Sequence, residues 1–324
     1  STIHKAIYGE PYPITGEWIA NLTANNSVVI VDESSMIDED IMNDIIKITK
    51  GRNNTVIFMG DSFQLEQIGK DPGLFQGKVK ELNGSTLLTE VKRQSLDSDI
   101  LKVATVIRND NQAYVPTESM NDFAIVKSKK EFINKFRNSI LEGDDVAMIV
   151  ATNSERIAMN KEARDAKFLG DKANVINPGE VLMSVANSST YSNSEVFTVD
   201  DIAGVPEKYS LKVTDNSGKV SNYDVYLVYI INEKGDQVPT LLIPELDRPS
   251  LYHAQILKAA QESSEELYGR LDPFIMENRR GVKKLSPNLS IATYGYAITA
   301  HKSQGSQWKK VFVNQNYSAP TWNP

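Results

Sequence analysis

The chain has 324 residues, 40% of them hydrophobic and 24% charged, with a formal net charge of -7. That balance is the one of ordinary globular protein about two domains long, and it argues against a protein that coats duplex DNA by charge alone. There is no cysteine, which excludes disulfides and thiolate metal sites and fits a reducing cytoplasmic setting. No apolar run approaches membrane-spanning length and no signal peptide opens the chain.

In chain order, residues 27–31 (SVVIV) form a continuous apolar run, which predicts a strand buried on both faces of a parallel sheet. The run ends in Asp32 and Glu33. Helical spacing follows in DEDIMNDIIKITK, then a second buried strand, TVIFMGD, that ends in Asp61. STLLTEV reads as a strand and DSDILKVATVIRN as an amphipathic helix with Asp97 or Ser98 near its cap. A helix around 129–141, a strand at 146–151 (VAMIVA) and a helix at 154–167 continue the alternation, which means α/β with mostly parallel sheets. From about 180 to 245 the texture changes to short β-branched and aromatic runs between Asn, Gly, Ser and Asp turns, the pattern of a small antiparallel barrel or sheet. Helices around 249–267 and 271–280 lead out of it. Near 290 the α/β pattern resumes with LSIATYGYAITAHKSQG and KVFV.

A greasy strand that ends in two carboxylates holds them rigidly at the carboxyl edge of a sheet, where open α/β folds bind ligands. There, the first acid can hold Mg²⁺ through its water shell and the second can orient an attacking water. The plainer alternative is a strand-to-helix turn whose acids favour the next helix N-terminus. Three histidines, His4, His253 and His301, lie too far apart in sequence to suggest metal ligation. Trp308 and Trp18 read as packing residues first.

Further motifs stand in a fixed order: VIFMGDSFQLEQIG with Gln64, LLTEVKRQ with Arg93, and YAITAHKSQGSQWKKVFV with Thr299, His301, Lys302, Ser303, Gln304 and Gly305. Together with the acid pair, STIHKAI at the start and IVATNSERIAMN in the middle, the series resembles superfamily 1 helicases, in the branch of RecD and the phage helicase Dda. The resemblance spans nearly the whole chain. It implies two RecA-like P-loop NTPase lobes, the first truncated, with a small SH3-like β-barrel inserted in the second. The expected division is 1–95 for the first lobe, with a short wedge remnant near 8–26. Residues 96–185 plus 288–324 would form the second lobe, and 186–287 the insert with its following helices.

The same resemblance implies ATP-driven translocation on single-stranded DNA with 5′→3′ polarity, and ATP with Mg²⁺ as cofactors. Asp32, Glu33, Gln64 and Arg93 take the catalytic roles, with Asp32 holding Mg²⁺ through water. Gln304, Gly305 and Lys302 face the nucleotide. Thr2, His4, Thr152, Asn153, Thr299, His301 and Ser303 touch the DNA backbone, contacts that position a strand without reading it. The acid pair, the glutamine loop and the distal turn are expected to converge on one cleft between the lobes. Related readings are a RecD-like subunit of an exodeoxyribonuclease or relaxase, with partner subunits in a repair or replication complex, and a non-catalytic DNA-binding scaffold derived from a helicase.

The phosphate-binding pattern Gly-x4-Gly-Lys-Ser/Thr does not occur in the 324 residues; GLFQGKV, with Gly73 and Gly77 one residue too close, is a decoy. The family's arginine-bearing last motif is also missing. A chain that starts at Ser1 without methionine and stops at SAPTWNP therefore reads as a piece of a longer protein, expected to be inactive in ATP hydrolysis by itself. Its first lobe is expected to be incompletely packed, with a groove or sheet edge for a neighbour to cover.

Overall fold

The β-branched runs at either side of the first helix pair as parallel strands, β1 (Val28–Val31) and β2 (Thr55–Phe58), in register from Val28 opposite Thr55 to Val31 opposite Phe58. The computed structural model describes residues 25–37, 39–51, 53–61, 84, 86, 88, 98–110, 118–168, 174–214, 218–247, 253–277, 281 and 283–314. By its contacts the chain divides into two units, Ser1–Ile125 and Val126–Pro324.

In the first unit, α1 (Glu39–Thr49) has acids in its first turn and Lys47 in its last, the charge order that the helix dipole favours. Its Ile41, Met42, Ile45 and Ile48 stripe packs on Val29, Val31, Val56 and Phe58. Among the described residues only this face of the pair is covered. The opposite face leaves Val28 and Ile30 at 62% and 60% exposed, with Ile57 and Met59 beside them at 43% and 45%. The expectation of burial on both faces is thus met on one side. Helix α2 (Asp99–Asp110) begins, as its sequence predicts, just after Ser98. The carboxylate of Asp122 accepts from the Ser98 hydroxyl (2.7 Å) and the Asp99 amide (2.9 Å) and ties the helix start to the downstream loop.

The second unit opens with α3 (Lys129–Leu141), capped by Ser128, then β3 (Val146–Val150) and α4 (Asn153–Lys167). Next come β4 (Val181–Ser184), β5 (Val196–Thr198), the long hairpin β6 (Asp201–Thr214) and β7 (Val220–Ile231), and β8 (Gln237–Leu242). Helices α5 (His253–Ser263) and α6 (Glu265–Leu271) lead to β9 (Ile275–Glu277) and β10 (Lys283–Leu285). The chain continues through β11 (Ser290–Tyr294), β12 (Ala297–Thr299), the single turn α7 (Ala300–Ser303) and β13 (Lys310–Val313).

Two sheets result. One is parallel and three-stranded, β12-β3-β13; α3 and α4 pack on it through Phe136, Ile140, Met159 and Ala163 against Met148, Val150, Tyr296 and Ala297. The other has six strands in the order β5-β4-β11-β8-β7-β6, antiparallel except where β11 runs parallel to β8. Where the sequence suggests a small antiparallel barrel or sheet, the described strands lie in an open sheet. That sheet also takes in β4 and β11, which the sequence division assigns to the second lobe rather than the insert. The expected helix at 271–280 is a correction: after Leu271 the chain makes a 3-10 turn at Asp272–Phe274 and then enters β9. Pro273 in that turn has no N–H for a helical bond, and β9 pairs with β10.

One residue lets the chain pass from the six-stranded sheet to the three-stranded one. A β-carbon at Gly295 would sit 2.7 Å from the backbone carbon of Leu182 and 2.8 Å from its oxygen, so no side chain fits at the hand-over from β11 to β12. Next to it, Arg164 and the fully buried Glu180 form an ion pair at 3.0 Å, with the guanidinium 4.2 Å from the ring centre of Tyr294. Burial pushes the Glu180 carboxyl up even so.

Gly295→Ala is expected to destabilise the chain by about 1–3 kcal/mol, the range for overpacking a tight interior site. Gly269→Ala, at an exposed position of α6 with open space around it, should instead add roughly 0.5–1 kcal/mol. Urea unfolding of both variants checks the pair, and equal effects would remove the close-approach argument.

Candidate functional site

Two strand edges carry the residues that the motifs single out, one in each unit. In the first, β1 hands straight to the acid pair. Asp32 is exposed and one of its oxygens accepts the Glu33 amide at 2.9 Å. Glu33 has left-handed backbone, φ 50 and ψ 38, a region that L-residues other than Gly, Asn and Asp enter at a cost of roughly 1–2 kcal/mol. The kink holds because Ser34, fully buried, is fixed twice to the Met59 carbonyl beyond β2, by its amide at 2.8 Å and its hydroxyl at 2.7 Å. Parallel pairing therefore places Asp32 and Glu33 beside Met59, Gly60 and Asp61. Asp61 is in turn ion-paired with Arg108 of α2 at 2.7 Å. Strain of this kind, where a neighbour over-determines a backbone, is common at working sites. An exposed carboxylate at a sheet edge suits a hard cation that keeps most of its water.

The second edge is built by β12 and β3. They run parallel with Thr299 opposite Val150, so the segments that follow each strand, 151–153 and 300–305, leave the sheet side by side. That register unites Thr152 and Asn153 with Thr299, His301, Lys302, Ser303, Gln304 and Gly305, which are about 150 residues away in sequence. Buried Asn160 secures it. Its amide oxygen accepts the Ala297 N–H at 2.9 Å while its amide nitrogen donates to the carbonyls of Ala297 and Arg156, each at 2.9 Å.

The side chains at this edge differ in what they have left to offer. Thr152 caps α4 in a reciprocal box with Glu155: its hydroxyl accepts the Glu155 amide at 3.2 Å, and the Glu155 carboxylate accepts the Thr152 amide at 3.3 Å. Glu155 is also reached by Asn314 at 3.4 Å, just past β13. Asn153 is half-buried and its Oδ1 accepts from Arg156 Nε at 3.2 Å. Thr299 starts α7 without a side-chain cap. His301 is half-buried, and the Ser303 hydroxyl donates to the Ala300 carbonyl at 2.8 Å. The Lys302 ammonium donates to Asn193 Oδ1 and Ser194 Oγ, both at 3.0 Å, and so moors the turn to the loop between β4 and β5. Burial lowers the pKa of Lys302, and the nearby Arg156 charge adds to the effect. Gly305 takes φ 79 where the turn reverses, a conformation that glycine accepts freely.

Thr2, His4, Trp18, Gln64 and Arg93 lie outside the described residues. Trp308 packs on the core of the six-stranded sheet, as expected of a packing residue. Sequence reading missed Arg156, Asn160 and Asn314. The first two sit at i+3 and i+7 from Asn153 on α4, and polar residues spaced along the buried face of a helix are the signal that could have found them.

Residues 1–128 match the family model of an AAA domain. The uncharacterized protein R530 of Acanthamoeba polyphaga mimivirus is 21% identical, over 97% of this chain and 75% of its own length. Among solved structures, one of two coordinating Pif1 helicases, described for unwinding at forked double-stranded DNA, superposes with a TM-score of 0.45. It is 16% identical and covers 98% of this chain and 71% of its own. The Pif1 helicase of Candida albicans gives 0.45 at 16% identity, over 88% and 65%.

Glu33→Gly is expected to raise unfolding stability by roughly 0.5–1 kcal/mol, because glycine enters the left-handed region without strain. Thr152→Ala should lower it by about 1 kcal/mol and Thr152→Ser by less, the ordinary worth of a helix cap. Chemical denaturation of the three variants tests both assignments.

Proposed function

We propose that this chain is the core of an ATP-driven DNA helicase of superfamily 1 that moves along single-stranded DNA. The observation that carries the reading is the acid pair at the end of β1, kinked by Glu33 and held against the end of β2. With ATP bound, Mg²⁺ would neutralise phosphate charge, and Asp32 is the residue to hold it through water. Glu33 orients the attacking water and takes its proton. Gln64 senses the terminal phosphate, and Arg93 supplies a planar fork for its oxygens. Gln304 and Gly305 serve the nucleotide from the distal turn, which Lys302 anchors. The match to an AAA domain over the first 128 residues supports an ATP-binding role for this end of the chain.

The strand contacts belong to Thr2, His4, Thr152, Asn153, Thr299, His301 and Ser303. The hydroxyls, amide and ring nitrogen of Thr152, Asn153, Thr299, His301 and Ser303, clustered at one parallel edge, suit a sugar-phosphate backbone better than base edges, and they need little net positive charge. That accords with a chain whose formal charge is -7. Within the family, 5′→3′ movement is the direction that the motif resemblance favours.

Two measurements on the full-length gene product test this. ATP hydrolysis should rise when oligo-dT is added, and Glu33→Gln should cut it about 10²–10⁴-fold, the usual worth of a positioned general base, while oligo-dT binding stays. Hydrolysis that is absent, or indifferent to Glu33, while oligo-dT still binds would leave a DNA-binding scaffold. Loss of both would end the reading.

A further inference from the structure

Arg156 is the largest fully buried side chain in the described residues, 1% exposed. Burial lowers its pKa to about 10, with the charge of Asp247 opposing, so it stays protonated at neutral pH. Its guanidinium is held from three sides. Nε donates to Asn153 Oδ1 at 3.2 Å, one terminal nitrogen to Thr293 Oγ1 of β11 at 3.4 Å, and the other to the Leu246 carbonyl after β8. Helix capping does not require this arrangement, because Thr152 and Glu155 already cap α4.

The chemistry of the contact settles which way the Asn153 amide points. A guanidinium has donors and no acceptor, so the atom of Asn153 that faces it is the oxygen. The amide nitrogen is then turned away from Arg156. Asn153 is thereby committed as a donor at the edge where Thr299 and His301 stand. A donor there complements an anionic oxygen and not the hydroxyl or amino hydrogens of a nucleotide.

We propose that Arg156 is a positioning residue that locks the Asn153 amide with its nitrogen outward, so that Asn153 donates to a phosphate oxygen of the bound single strand. The proposal rests on the reading of this edge as a DNA interface. It also gives the six-stranded sheet a part in binding, since two of the three groups that hold Arg156 belong to it or to the loop that leaves it.

Fluorescence anisotropy of labelled oligo-dT on the full chain, with circular dichroism to confirm folding, tests it as a double-mutant cycle. Asn153→Ala is expected to weaken binding about tenfold, the worth of one hydrogen bond to a charged group. Asn153→Asp keeps an acceptor for Arg156 and folds normally, yet presents a carboxylate to the phosphate and should weaken binding at least as much. Arg156→Met should weaken binding about fivefold in the native background and by less than about twofold once Asn153 is alanine, since coupled residues are not additive. Should Arg156→Met fail to fold, Arg156→Lys carries the same cycle. Effects that multiply, or an Asn153→Asp chain that binds like the native one, overturn the positioning role. If Asn153→Ala binds oligo-dT unchanged, the placement of DNA at this edge fails instead.

Discussion

The pairing of β12 with β3 is the constraint on which the second unit's candidate site depends. A parallel register with Thr299 opposite Val150 decides that 151–153 and 300–305 emerge together, and a slip of one residue would turn every side chain of the strand to the other face. Asn160 guards against that slip. Its three bonds reach the backbone of β12 and of its own helix, and a buried amide that loses such partners costs about 1–3 kcal/mol per unsatisfied group. The first unit repeats the principle with fewer parts. There, two bonds from Ser34 to the Met59 carbonyl register the acid pair against the neighbouring strand.

Cations inside this acidic chain serve as struts. Arg156 joins α4 to the six-stranded sheet, Arg164 meets Glu180 under the ring of Tyr294, and Lys302 reaches the loop between β4 and β5. Each links the small parallel sheet or its helices to the larger sheet. Burying charge is a poor way to gain stability, and the lowered pKa values of Arg156 and Lys302 record what desolvation costs. What such contacts supply is a single allowed arrangement of hydrogen-bond donors along an edge that has to meet a ligand.

Much of this was legible in the residues. VVIV ahead of Asp-Glu announces a strand with acids at its tip, and TNSE announces a capped helix, because both signals are local. The switch to Asn- and Gly-punctuated β-runs after 180 likewise marks the antiparallel sheet. What local pattern could not convey is partnership between distant segments. Nothing in SIATY says that β11 will slot between β4 and β8. DPFIMENRR has helical composition, yet the strand partner at 283–285 and the proline outweigh propensity. Arg156 escaped notice because a lone arginine on a helix is usually solvated, and only its three-dimensional neighbours show that it is not.

The hand-over at Gly295 has a mechanical consequence. Between the end of β11 and the start of β12 stand only Gly295 and Tyr296, a span of about 10 Å at full extension. The glycine is wedged against the backbone of Leu182, and the tyrosine carbonyl is bonded to the Met148 amide at 3.0 Å. There is no slack in such a joint. A tug on the turn after β12 is passed directly to the larger sheet instead of being absorbed in a loop, so the two sheets of this unit would travel as one piece under load.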